Sequence, residues 1–267
     1  MSMVTVGFIG TGKMAEALMR SIRKNNHSVT LISSDSKEER LQYIKKELGA
    51  CVTQINGEVA VKADVIFLSV KPQDMQVVLT DIKPFVKGKL IVSIAAGIPI
   101  KKISSTLGYD RIIRVMPNTP CLVGEMAGAY SKTESVTAED QHLFEKLLKD
   151  NGILFEVDEV HIDAVTALSG SGPAFFALFI KALADAAVNE GLDRNIALQL
   201  ASKTALGTGK LLLEKNMTPD DLITMVASPR GTTVAGLECL ERHNCKNILE
   251  QAYAAAVKRA REIAQCP

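Results

Sequence analysis

The chain has 267 residues, with 31 Lys+Arg against 30 Asp+Glu and a formal net charge of +1. So even a balance provides no single-sign field, which argues against a general nucleic-acid binder. Apolar residues at 47% and charged residues at 23% exclude compositional disorder and are ordinary for a globular protein, while length permits one large domain or two medium ones.

In chain order, Val4–Ile9 reads as a strand, Lys13–Asn25 as a helix, Ser28–Ser33 as a second strand and Lys37–Leu48 as a second helix. The runs Val65–Val70, Leu90–Ile94 and Ile112–Met116 are apolar on both faces, and Gln73–Val86 between the first two is helical. Strands apolar on both faces and separated by helices indicate a parallel sheet covered on both sides, so residues 1–159 are expected to form a doubly wound, Rossmann-like α/β domain.

Past Asp158 no strand-like run returns. Helical signal covers His161–Gly191 despite an S-G-S-G-P insertion, then Asn195–Lys215, Pro219–Ala227, Thr233–Arg242 and Lys246–Gln265. A helix of roughly 30 residues is about 45 Å long, too long to be covered by the rest of this half. Its Phe175, Phe176, Phe179, Leu183 and the neighbouring alanines spread around the helix, and helices apolar all round are buried. Residues 160–267 are therefore expected to form an all-α dimerisation domain, with a monomeric helical cap as the alternative.

The five cysteines (Cys51, Cys121, Cys239, Cys245, Cys266) include no C-x-x-C pair and have no His at zinc spacing. This predicts free thiols in a reducing compartment and no metal site. Residues 1–9 lack the pattern of a signal peptide. The longest apolar runs are of strand length and Lys181 interrupts the best helical candidate, so no segment is expected to reach the roughly 20 residues of a membrane span. A cytoplasmic protein is the resulting expectation, with an organelle matrix as the alternative.

Two places carry anion-binding chemistry. Gly10-Thr11-Gly12-Lys13-Met14-Ala15 sets G-x-G-x-x-A between the first strand and the first helix. There glycines allow close approach of a pyrophosphate and the helix start supplies N–H donors. Asp35 lies about twenty residues on, where an acid binds a ribose 2′-hydroxyl and favours NAD. Ser33 and Ser34 precede it and Lys37 follows, a set suited to a 2′-phosphate; the reading favours NADP(H) and keeps NAD(H) open. Further strand ends, Val70-Lys71-Pro72, Ala95-Ala96-Gly97 and Met116-Pro117-Asn118, should line the same crevice. In the helical half, Ser228-Pro229-Arg230-Gly231-Thr232-Thr233 precedes a helix and offers N–H and hydroxyl donors to a carboxylate. Ser169–Ala174 reads either as close helix packing or as a site wall.

Conventional catalysts are scarce. His27, His142, His161 and His243 have no partnering pattern and read as surface residues. A hydride transfer to an electrophile that needs little acid assistance, such as a protonated imine, fits that scarcity.

With these residues in view, the chain resembles the pyrroline-5-carboxylate reductases, which make proline. The resemblance runs through GFIGTGKMAEA at 7–17, SVKP at 69–72, SIAAG at 93–97, RVMPNTP at 114–120, DAVTALSGSGPAF at 163–175 and SPRGTT at 228–233. It implies dinucleotide contacts, with NADPH as cofactor and NADH as the alternative, at Ile9, Gly10, Thr11, Gly12, Lys13, Met14, Ser34, Ser36 and Asn56. It extends these to Ser69, Val70, Lys71, Pro72, Ala95, Ala96 and Gly97, with Asn118 near the nicotinamide. It also implies that Ser228, Gly231, Thr232 and Thr233 hold the carboxylate of 1-pyrroline-5-carboxylate, that Glu159 lies near the ring nitrogen, and that Thr233 relays a proton. Interlocked helical domains, a homodimer or a higher assembly of dimers, and active sites shared between subunits follow from the same resemblance. Two positions depart from the family pattern: Arg230 stands where a Gly is usual, and Lys13 where Asn or Gln is frequent. The competing readings are a β-hydroxyacid dehydrogenase-like enzyme or imine reductase, with Lys181 or Lys210 as catalyst, and a non-catalytic NADP-sensing protein.

Overall fold

The computed structural model describes residues 4–25 and 28–265; His27 and Cys266 lie outside them. Two compact units are present, one comprising residues up to Ser171 together with those from Ala256 onward, the other Gly172–Ala255.

The first unit is built as β1 (Val4–Ile9), α1 (Lys13–Asn25), β2 (Val29–Ser34), α2 (Glu38–Leu48), β3 (Cys51–Thr53), α3 (Asn56–Lys62), β4 (Val65–Leu68), α4 (Met75–Ile82), β5 (Leu90–Ser93), α5 (Ile100–Leu107), β6 (Ile112–Met116), β7 (Met126–Lys132), α6 (Ala138–Leu148) and β8 (Gly152–Glu156). The strands form one sheet in the order β3-β2-β1-β4-β5-β6-β7-β8. β1 to β6 run parallel, while β7 is antiparallel to β6 and β8 parallel to β7.

Side-chain alternation sends successive strand residues to opposite faces. Phe8, Phe67, Val92 and Val115 join Leu18 and Ile22 of α1, Ile44 of α2 and Phe144 of α6 in one core. Ile9, Ile66, Ile91 and Ile112 join Val59, Leu79 and Ile103 of α3, α4 and α5 in the other. Phe8 and Phe67 stack across β1 and β4 at 4.6 Å between ring centroids. This double coverage is why those strands read as continuous apolar runs.

Strands β3, β7 and β8 add to those expected from the sequence. β3 has three residues, and the apolar run of β8, Ile153-Leu154-Phe155, is equally short and half-exposed. β7 contains Gly128 and three alternating small residues, Ala127, Ala129 and Ser131, which weakens its strand signal.

Helix α6 is fastened by a reciprocal cap. Thr137 Oγ1 accepts from Asp140 N at 3.2 Å, and the Asp140 carboxylate accepts from Thr137 N at 3.1 Å while pairing with the Arg111 guanidinium. Burial alone pushes the Asp140 carboxyl up, but Arg111 and Thr137 win and hold it below the ordinary carboxylate range. A carboxyl whose folded pKa is depressed adds stability that is present above its unfolded value and lost as pH falls through the folded one. Asp140→Asn should therefore cost about 2–3 kcal/mol in urea unfolding at neutral pH, the penalty of leaving Arg111 unpaired. The gap between the two proteins should narrow below about pH 4.

Glu159–His161 forms a short 3₁₀ turn leading to α7 (Ile162–Val165) and a π turn over Thr166–Gly170. The second unit contains α8 (Gly172–Asn189), α9 (Arg194–Lys215), α10 (Pro219–Val226), α11 (Thr232–Arg242) and the start of α12 (Cys245–Gln265). α8 packs along α9, yet Phe176, Leu178 and Leu183 on α8 and Leu200, Leu206 and Leu213 on α9 are all exposed.

The run Glu159–Asn189 is 31 residues long and passes the length and composition test for a membrane span, which corrects the expectation that no segment would. The S-G-S-G-P stretch begins inside the π turn, which ends at Gly170, and α8 starts at Gly172.

Candidate active site

The carboxyl ends of the parallel strands are laced together by backbone bonds. Gly10 N donates to Ser34 O at 2.8 Å, Ser69 N to Ile9 O at 2.8 Å and Ile94 N to Leu68 O at 3.1 Å. The loops after β1, β2, β4 and β5 are thereby brought to one edge of the sheet. Gly10 has φ +91°, and a Cβ there would lie 2.8 Å from Ser69 O. Gly12 has open space on that side, so a ligand can approach its backbone from outside. Lys13 is exposed at the first turn of α1, while Met14 is half-buried with its sulfur 3.8 Å from Cys121 Sγ.

Ser34 Oγ donates to Asn56 Oδ1 at 2.8 Å, and Asn56 Nδ2 donates to Asp81 at 3.1 Å. These two residues, 22 apart in the chain, are therefore joined across β2 and α3. Ser36 is exposed. The Ser69 hydroxyl is buried without a hydrogen-bond partner. A buried polar group normally has one, and this orphan sits on the strand edge that the glycine loop shares. Lys71 is exposed and Pro72 opens a 3₁₀ turn. Ala95 is buried, Ala96 half-buried, and Gly97 turns the chain with φ +71°. An open glycine backbone, a helix start and an orphaned hydroxyl on one edge fit a dinucleotide.

Asp35 does not face outward as a free carboxylate. Its Oδ2 accepts from Thr11 N at 2.8 Å and Thr11 Oγ1 at 2.6 Å, and its Oδ1 accepts from Lys37 N at 3.0 Å. Arg40, which the sequence reading overlooked, donates to Thr11 O through Nε at 3.0 Å. No local pattern marks it, because one arginine in the first turn of a charged helix is indistinguishable in sequence from a solvated one.

Asn118 is buried and committed on both sides of its amide. Nδ2 donates to Ser169 O at 3.0 Å, and Oδ1 accepts from Ala127 N at 3.0 Å. The S-G-S-G-P segment therefore packs its π turn against the end of β6. Glu159 Oε1 accepts from Ile100 N at 2.7 Å and from Arg114 at 3.0 Å. Arg114 itself is buried on β6, and the sequence signal for it is a lone charge within the apolar run Ile112–Met116. A cavity of about 580 Å³ lies beside this pair, lined by Ile100, Ser131, Lys132, Glu156, Glu159 and His161 among others.

In the second unit, Gly231 N donates to Ser228 O at 2.9 Å, closing a turn immediately before α11. A Cβ on Gly231 would lie 2.5 Å from Ser228 Oγ, so the glycine leaves that hydroxyl room. Thr232 and Thr233 are the first two residues of α11, exposed and half-buried respectively. Arg230 has φ +62°, a left-handed conformation that favours glycine. Arg230→Gly should raise stability by about 0.5–1 kcal/mol in thermal unfolding, since relieving the strain outweighs glycine's greater chain entropy. Lys181 and Lys210 are exposed and ion-paired within their own helices, to Asp185 at 2.6 Å and Glu214 at 3.4 Å.

Residues 159–263 match the family model described as pyrroline-5-carboxylate reductase dimerisation, and residues 5–97 the model described as NADP oxidoreductase, coenzyme F420-dependent. The pyrroline-5-carboxylate reductase of Pisum sativum is 40% identical over 97% of this chain and 96% of its own length. That of Pseudomonas aeruginosa is 39% identical over 99% and 98%. The chain belongs to the pyrroline-5-carboxylate reductase family. Among solved structures, the Plasmodium falciparum pyrroline carboxylate reductase with NADP bound superposes with a TM-score of 0.90 at 32% identity, covering 99% of this chain and 100% of that one. The Coxiella burnetii reductase gives the same TM-score and identity. A prephenate dehydrogenase from A. aeolicus, at 15% identity and a TM-score of 0.55, shares the fold alone. The family's dimerisation region contains the helices whose apolar side chains are exposed in the single chain.

Proposed function

We propose that this protein is an NADPH-dependent reductase that converts 1-pyrroline-5-carboxylate to L-proline, with NADH as the alternative reductant. The observation that carries this reading is full-length kinship to reductases of that name combined with an intact glycine loop and an intact S-P-x-G-T-T turn. When bound, the reduced nicotinamide would supply a hydride from C4 to the imine carbon C5, and the ring nitrogen would take up one proton.

On this reading Ile9, Gly10, Thr11, Gly12, Lys13 and Met14 receive the pyrophosphate at the start of α1. Ser34, Ser36 and Asn56 take the adenosine end, and Ser69–Pro72, Ala95–Gly97 and Asn118 shape the nicotinamide end. Ser228, Gly231, Thr232 and Thr233 bind the substrate carboxylate through hydroxyls and the free N–H groups of α11. Glu159 stands near the ring nitrogen, and Thr233 relays the proton. The working division is a dinucleotide-binding domain over 1–159 and a dimerisation and substrate-binding domain over 160–267.

The protein works as a homodimer, or an assembly of dimers, in the cytoplasm. The exposed apolar faces of α8 and α9 support the dimer, since patches of that kind mark interfaces. The free thiols of Cys51, Cys121, Cys239 and Cys245 support a reducing compartment.

The test is direct. Purified protein should oxidise NADPH, and NADH more weakly, only when the pyrroline is present. Inactivity with both cofactors overturns the reading, and turnover of 3-hydroxyisobutyrate in its place would favour the hydroxyacid alternative.

A further inference from the structure

Thr11, between Gly10 and Gly12, is fully buried, and all three of its polar groups are engaged. Its N–H and hydroxyl donate to Asp35 Oδ2, and its carbonyl accepts from Arg40. Arg40 is held in turn by Glu16 Oε2 at 3.0 Å, and its guanidinium stacks over the Tyr43 ring at 5.0 Å. Glu16, itself buried, also receives Arg20 at 2.9 Å and the Tyr43 hydroxyl at 3.1 Å. The loop is thus gripped from β2 through Asp35 and from α2 through Arg40. Burial alone raises the Asp35 carboxyl, yet the bonds from Thr11 and Lys37 and the charge of Arg40 keep it ionised, below the ordinary range.

We propose that Asp35 and Arg40 are positioning residues that clamp Thr11 and preset the phosphate-binding loop. Neither then discriminates between the two nicotinamide nucleotides. The proposal rests on the reading that Gly10–Met14 receives the pyrophosphate. An acid at the end of the second strand ordinarily accepts the ribose 2′-hydroxyl, and an arginine nearby ordinarily meets a 2′-phosphate. In this chain both oxygens of that acid are occupied by backbone and hydroxyl donors of the loops, and the arginine is turned onto a carbonyl and a buried glutamate. A preset loop lowers the ordering cost of binding, and that gain is common to NADPH and NADH because both carry the same pyrophosphate.

The test is calorimetric binding of NADPH and of NADH to the full-length protein and to its Asp35→Ala, Asp35→Asn, Arg40→Ala and Arg40→Lys variants. The two alanine variants should weaken both nucleotides by the same factor, about tenfold, while kcat at saturating NADPH stays within about twofold. Arg40→Lys and Asp35→Asn, which keep part of the donor or acceptor set, should fall between wild type and alanine and serve as the test if an alanine variant does not fold. The double alanine variant should lose less than the product of the two single losses, because either change alone releases Thr11. Loss of NADPH binding alone in Arg40→Ala would make Arg40 a 2′-phosphate ligand and overturn the clamp. Loss of NADH alone in Asp35→Ala, or unchanged affinities throughout, would overturn it as well. A wild-type protein that binds nucleotide but does not reduce the pyrroline removes the proposed function and leaves the clamp standing; one that binds neither nucleotide removes both.

Discussion

Gly10→Ala is expected to weaken NADPH binding roughly 100-fold, the scale set by displacing a binding loop by about 1 Å. An added methyl would lie 2.8 Å from Ser69 O and 2.9 Å from Ser69 C. Those are backbone atoms, and Ser69 N is bonded to Ile9 O at 2.8 Å, so the β4 end cannot recoil without breaking the lacing of the sheet edge. The φ of +91° adds strain that any L-residue carries there, about 1–2 kcal/mol. The loop must therefore shift, and Thr11, gripped by Asp35 and Arg40, must shift with it. Calorimetric titration with NADPH, beside thermal unfolding of the nucleotide-free protein, checks the result. An affinity within threefold of wild type, on a scale of about 1.4 kcal/mol per tenfold, would exclude the loop from nucleotide binding.

Thr233→Ala should lower kcat/KM for the pyrroline by about 100-fold, the lower end of what a positioned proton-transfer group contributes. NADPH affinity should be unchanged, because the glycine loop belongs to the other compact unit of the chain. Thr233 is the second residue of α11 and half-buried, so deleting its hydroxyl leaves the turn closed by Gly231 N and Ser228 O intact. Steady-state kinetics with the pyrroline as varied substrate, together with direct nucleotide binding, separates a chemical defect from a folding one. An unchanged kcat/KM removes Thr233 from the proton relay; Thr233→Ser, which keeps the hydroxyl, should restore most of the activity.

Much of the fold was legible because its physics is local. The runs at 65–70, 90–94 and 112–116 are apolar at all but one position each (Ser69, Ser93 and Arg114), and only a strand covered on both faces needs that. The register confirms the reason, with Phe67 and Val92 packed in one core and Ile66 and Ile91 in the other. β7 carries a weak strand pattern because its residues are mostly small, and β8 because its apolar run, Ile153-Leu154-Phe155, is only three residues long. Their reversed direction relative to β6 depends on chain closure, which no window of sequence encodes.

The site divides in the same way. Gly10, Gly12 and the S-P-x-G-T-T turn are visible in sequence, because a tight backbone approach to an anion demands those residue types at that spacing. What cannot be seen is which way a charged side chain turns. Asp35 sits where a ribose acid belongs and instead faces Thr11 and Lys37. Arg40 resembles a surface arginine, yet it caps the loop carbonyl, and Arg114, set in an otherwise apolar run, is buried against Glu159 and Asp163. Asn118 stands at a strand end expected to line the crevice, and in the fold its amide joins Ala127 to Ser169.

By itself, then, the sequence determined the near-neutral composition, the division into a sheet half and a helical half, and the two glycine-bearing turns, since each follows from residue type and short-range spacing. Only the tertiary structure decided the partners of its charged and amide side chains and the direction of the last two strands. Those depend on contacts between residues tens of positions apart, such as Thr11 with Asp35 and Arg114 with Glu159, which are set when the sheet closes and not before.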